Sequence, residues 1–139
     1  MSQTIETVPY VFIGGSKFKH LREDFPKSLE QAPFFNYSLE SSLRWKVDAF
    51  FRKHKLMVPQ FGEADDVSLQ RAAVRHNMCV ALLPRDLVAE YIKEGSIFEL
   101  GAGDEITSTI HGIYHGMVND QMVRKALTSI FGNENYEVE

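Results

Sequence analysis

The sequence is poor in the features that mark several large classes of protein. A single cysteine, Cys79, among 139 residues excludes an internal disulfide and any multi-cysteine zinc cage, and it suits a reducing compartment. Basic runs are missing: 15 Lys and Arg stand against 19 Asp and Glu, for a formal charge of −4. A nucleic-acid binder carries a basic stripe that displaces counterions from phosphates, so direct DNA contact by this chain is not expected. No stretch approaches the roughly 18 consecutive apolar residues of a membrane helix. The opening MSQTIETVPYVF places Glu6 before a short apolar run and has no basic n-region, unlike a signal peptide. A cytoplasmic location is the expectation. Motifs of the form G-x-S-x-G, H-E-x-x-H and G-x-G-x-x-G do not occur, nor does any internal repeat.

What remains is the profile of one folded domain, 44% hydrophobic and 24% charged. Functional expectation centres on Val58 to Pro84, VPQFGEADDVSLQRAAVRHNMCVALLP. Val58 to Phe61 reads as a strand, and Gly62 to Asp66 as a loop carrying Glu63, Asp65 and Asp66. Val67, Leu69, Ala73, Val74 and Met78 then form an apolar helix face, with Asp65 or Asp66 as its cap. Met78 to Leu83 is apolar without alternation, as in a parallel strand covered on both faces, and Pro84 ends it for want of an N–H. Cys79 within it reads as a small core residue.

Upstream, Val8 to Ile13 is a strand closed by Gly14-Gly15, read as a turn in which glycine supplies positive φ, because the spacing of a phosphate loop is missing. Lys17 to Phe25 looks irregular, and Pro26 opens a short helical turn. Pro33 to Tyr37 is a strand. Leu43, Val47, Phe50 and Phe51 share a helical face that runs to about Lys55, capped by Ser41 or Ser42. Such a helix start also attracts anions and polar ligands. Trp45 reads as a packing or partner contact. Downstream come a helix over Arg85–Lys93 with Gly95 as its C-cap, a strand over Ser96–Leu100, a loop over Gly101–Asp104 and a long strand over Ile106–Gly116. A last helix follows Asn119 or Asp120 and carries Met122, Leu127 and Phe131, ahead of a frayed NENYEVE tail. The alternation predicts an α/β fold: an open, mixed but mostly parallel sheet flanked by helices.

Candidate chemistry is sparse. His111 and His115 fall in a strand, about 13 Å apart, too far for one metal to bridge. His76 suits the negative end of a helix. Glu63, Asp65 and Asp66 have the chemistry of acid/base groups or hard-cation ligands, and equally that of a solvated helix cap. No nucleophile stands with a base, and no cofactor is indicated.

Taken together, the succession from Pro33 through Leu100 resembles the second lobe of the effector-binding domain of LysR-type transcriptional regulators. The carrying residues are Phe35-Asn36-Tyr37-Ser38 with Ser41-Ser42, Phe61-Gly62-Glu63 through Leu82-Leu83-Pro84, and Gly95-Ser96-Ile97. Where the family often has G-x-G before the Leu-Pro strand, this chain has Asn77 and Cys79. Gly62, Glu63, Asp65 and Asp66 look most like the NhaR branch, regulators of a sodium–proton antiporter. The resemblance implies a type 2 periplasmic-binding-protein-like lobe, with 33–101 as the second lobe, 8–16 and 105–116 as crossover strands, and 119–131 as a helix of the first lobe. It also implies a small-molecule or ion effector lying between lobes, faced by Ser38, Ser41, Ser42, Phe61, Gly62, Glu63, Ala64 and Asp65. In that setting Glu63 and Asp65 exclude anions or recruit a cation. A full family member has a helix-turn-helix before this region and none precedes Met1, so a truncated, transcription-regulating module is expected. Its uncovered apolar surface is expected to make it a homodimer. The alternatives are a small α/β enzyme using Glu63 or Asp65 in acid/base work, and a bare protein-interaction domain.

Overall fold

The computed structural model describes residues 4–111. Val8–Ser108 forms one compact unit; Met1–Thr7 groups with Thr109–Glu139 in a second, most of which lies outside the described residues. The helix expected over 119–131, the strand end expected up to Gly116 and the C-terminal tail therefore also lie outside them.

The described elements run β1 (Thr4–Gly14), two 3-10 helices (Ser16–Asp24 and Lys27–Gln31), β2 (Phe34–Asn36), α1 (Ser42–Lys53), β3 (Gln60–Glu63), α2 (Val67–Arg75), β4 (Val80–Pro84), α3 (Arg85–Glu94) and β5 (Phe98–His111). The sheet order is β3-β2-β4-β1-β5. β2 pairs in parallel with both β3 and β4, whereas β1 is antiparallel to β4, with Phe12 opposite Leu82. The sheet is thus mixed, with a parallel core.

Strand residues alternate between two buried layers. Phe12, Phe34, Val80 and Leu82 join Val47, Phe50 and Phe51 of α1 on one face, together with Phe18, Leu21 and Leu29 of the 3-10 segments. Val11, Ile13, Phe35, Ala81 and Leu83 meet Ala73 and Val74 of α2, Val88 of α3 and Ile97 on the other. Cover on both faces is why β1 and β4 read as continuous apolar runs. Phe12 is the hub of the first layer, with its ring 5.1 Å from Phe50 and 6.0 Å from Phe34.

Several expectations change. Residues 16–24 are helical rather than irregular. β3 runs through Gly62 and Glu63, so the loop before α2 is shorter than expected. Gly101 to Asp104 is no loop but the middle of β5. Its glycines give room instead: a Cβ at Gly101 would sit 2.4 Å from the Phe25 ring, and one at Gly103 3.2 Å from the Tyr10 carbonyl. Gly15 behaves likewise. Its φ is −82°, so positive φ is not its role, and a Cβ there would fall 2.7 Å from the Val74 carbonyl oxygen. The α2 face is also rotated: Leu69 and Met78 are exposed, and Gln70 is buried beside Ala73 and Val74. Gly95 does close α3, at φ 87°, and Asn77 takes φ 61° at the entrance to β4. Trp45 stands 62% exposed on α1.

Candidate functional site

The carboxyl ends of β2 and β3 lie side by side, with Asn36 opposite Glu63. From β2 the chain enters α1 and reaches β3 on one side; from β3 it passes through α2 to β4 on the other side of β2. The two connections leave towards opposite faces of the sheet, to α1 and to α2, and open α/β sheets take ligands outside the carboxyl ends of their strands. The loops there are Tyr37–Ser41 and Ala64–Asp66, and between them they carry Ser38, Ser41, Ala64 and Asp65 of the residues expected from the sequence.

Both helix starts are closed by side chains. Ser41 Oγ accepts the Leu43 N–H at 3.1 Å, and Asp66 Oδ1 accepts the Leu69 N–H at 3.1 Å. Ser41 and Asp66 are therefore the caps, and Ser42 is an exposed first-turn residue. Asp65 caps nothing. It reaches across to the other loop, where its carboxylate accepts the Ser38 N–H at 2.9 Å and the Ser38 hydroxyl at 2.5 Å.

Glu63 is engaged in the same way. Arg44 Nη1 donates to Glu63 Oε2 at 2.9 Å and to the Tyr37 carbonyl at 2.8 Å, while Arg44 Nε reaches Asp48 at 3.3 Å. The Glu63 hydrogen bond pushes the guanidinium above its ordinary range against the opposing effect of burial, and Asp48 adds to it. Beside these pairs lies a polar layer built on buried Asn36 and Gln70. Gln70 Nε2 donates to the Ala64 carbonyl at 2.6 Å and to that of Asn36 at 3.4 Å. The Ala64 N–H donates to the Asn36 carbonyl at 3.0 Å, and Asn36 Nδ2 to Gln60 Oε1 at 3.1 Å. Tyr37 donates its hydroxyl to the Leu82 carbonyl at 2.6 Å. Burial raises its phenol well above the ordinary value, with Tyr10 and Asp65 adding, so it stays neutral.

The structure thus brings Ser38, Ser41, Glu63, Ala64 and Asp65 onto one edge. Phe61 is set apart, 40% exposed with its ring against Phe35 at 5.3 Å, and a Cβ on neighbouring Gly62 would meet nothing within 4 Å. Sequence reasoning missed Arg44 and Gln70. The i,i+4 spacing of Arg44 and Asp48 was a usable signal. Positions 67, 70 and 74 mark the inner face of α2, but the polar identity of Gln70 hid it. Among the described residues no cluster of three or more His, Cys, Asp or Glu is arranged to hold a metal, and no helix is long and apolar enough to cross a membrane.

These features define an open α/β sheet with helices on both faces. The sequence profile of the LysR substrate binding domain matches residues 7–124, and the chain belongs to that family. Solved structures agree on the fold. The regulatory domain of HypT from Salmonella typhimurium in its apo form is 20% identical with a TM-score of 0.63, over 80% of this chain and 53% of that one. The effector domain of AmpR from Pseudomonas aeruginosa is 15% identical with a TM-score of 0.58, over 79% of this chain and 52% of that one. The regulatory domain of CcmR from Synechocystis PCC6803, in complex with 2-PG, is 17% identical with a TM-score of 0.57, over 72% and 49%. The chain spans about half the length of these domains. No curated protein sequence matches it.

Proposed function

We propose that this chain is the ligand-sensing lobe of a LysR-type transcriptional regulator, with the loops Tyr37–Ser41 and Ala64–Asp66 as one wall of its effector site. The carrying observation is the pairing of the two loops at the carboxyl ends of parallel strands, each feeding a helix start. Structures of the same fold carry small ligands: bromide in HypT and 2-PG in CcmR. On this reading 33–101 is the second lobe, β1 and β5 supply the crossover strands, and the protein works in the cytoplasm as a homodimer without touching DNA through this lobe. On the same reading it is a binding module rather than an enzyme, in which Glu63 and Asp65 hold Arg44 and Ser38 in place.

The test is calorimetric titration with sodium ion, amino acids and aromatic acids. One class is expected to bind saturably. A flat response across all three classes overturns the reading, and a monomer in sedimentation at micromolar concentration overturns the dimer.

A further inference from the structure

The donors that this wall would offer an effector are already taken by the chain's own carboxylates. Ser38 directs its N–H and its hydroxyl at Asp65, at 2.9 and 2.5 Å. The two residues come from different loops, 27 positions apart, so this is a contact of the fold rather than of a local turn. An N–H and an O–H that converge on one carboxylate form the geometry by which proteins grip a free anion. The nearest guanidinium is occupied too: Arg44 lies against Glu63 and Asp48 and also donates to the Tyr37 carbonyl. With Asp66 capping α2 alongside, carboxylates outnumber that guanidinium along this edge, and their field repels an approaching anion.

We propose that Asp65 is the specificity-determining residue of this wall: a tethered carboxylate that fills the Ser38 donor seat, so that the lobe rejects anionic effectors and takes one that is cationic or neutral. The inference rests on the reading of this edge as the effector-facing wall. An acceptor-bearing ligand must displace Asp65 before it reaches Ser38. A ligand bringing an ammonium, guanidinium or hydroxyl group meets carboxylate oxygens instead, and leaves the Ser38–Asp65 pair in place.

The experiment follows the Ser38 amide resonance of the full chain by nuclear magnetic resonance during titration with acetate, with acetamide as neutral control at fixed ionic strength. In the wild type, acetate is expected to move this resonance no more than acetamide does. In Asp65→Ala it is expected to move it saturably, with a half-saturation concentration at least about tenfold lower than any wild-type response. Adding Ser38→Ala to that variant removes the hydroxyl and is expected to weaken the response again, read at the residue 38 amide. If Asp65→Ala is unfolded by circular dichroism, Asp65→Asn takes its place, with a smaller gain in the same direction. Saturable wild-type binding of acetate at Ser38, or no gain in the folded variant, overturns the proposal. Failure here is separable from failure of the sensing function. A wild type that binds an anion at Ser38 keeps the sensor reading and loses this one, whereas a variant that gains acetate while the wild type binds no effector does the reverse.

Discussion

Cys79 shows how far the environment of one residue can be read as chemistry. Its side chain is fully buried between the sheet and α2, and burial pushes the thiol up to about 12. The neutral form is favoured in the folded chain, so its contribution to stability is present below the ordinary thiol range and is lost as pH rises from that range towards 12. Iodoacetamide at neutral pH should therefore label unfolded chains and spare folded ones, and stability should fall more steeply above pH ~9 in the wild type than in Cys79→Ala. Fast labelling without unfolding would refute this account. The identity of Cys79 as a core residue was legible because its neighbours are all apolar. The role of Gly15 was not. A sequence shows that glycine is present but not that the Val74 carbonyl comes so close to it, and close approach rather than positive φ is what the position requires.

Helix starts are where sequence and structure correspond most closely, down to a choice between adjacent residues. Serine pairs and aspartate pairs announce caps, but which member serves depends on where the preceding strand stops. β3 ends at Glu63 and not at Phe61, which moves Asp66 into the cap and frees Asp65 to cross to Ser38. Ser41→Ala and Asp66→Ala should each cost about 1 kcal/mol in chemical denaturation, the usual worth of a lost N-cap. Ser42→Ala, with no capping role, should change stability by less than about 0.5 kcal/mol. Equal losses at Ser41 and Ser42 would contradict the assignment. The same dependence on neighbours explains Gly101–Asp104, whose composition spells a loop but whose glycines let β5 pass beneath Phe25 and along Tyr10.

For the molecule as a whole, the strand–helix alternation was enough to predict an open α/β sheet, and the unalternating run of β4 was enough to predict cover on both faces. What the pattern does not encode is strand direction: β1 is antiparallel to its neighbour β4, a relation set by where the chain returns and not by the composition of either strand. Position in the sheet should govern tolerance to change. Leu82 is fully buried in the central strand, and Leu82→Ala should cost 2–5 kcal/mol as transfer and cavity effects add. Phe61 stands on the edge strand, half out of its layer, and Phe61→Ala should cost about 1 kcal/mol or less. Urea midpoints of the two variants decide the matter, and similar losses would mean that β3 is as deeply embedded as β4.

Trp45 is the sole tryptophan of the chain, one residue past Arg44 and 62% exposed. Every photon of indole emission therefore originates within four residues of the Ser41 cap, and it starts from a water-relaxed, long-wavelength state. Global unfolding has little further red shift to give, whereas any body that comes to rest on the start of α1 will move the emission to the blue. The protein thus carries an optical reporter that is nearly silent to its own stability and responsive to what covers this one corner.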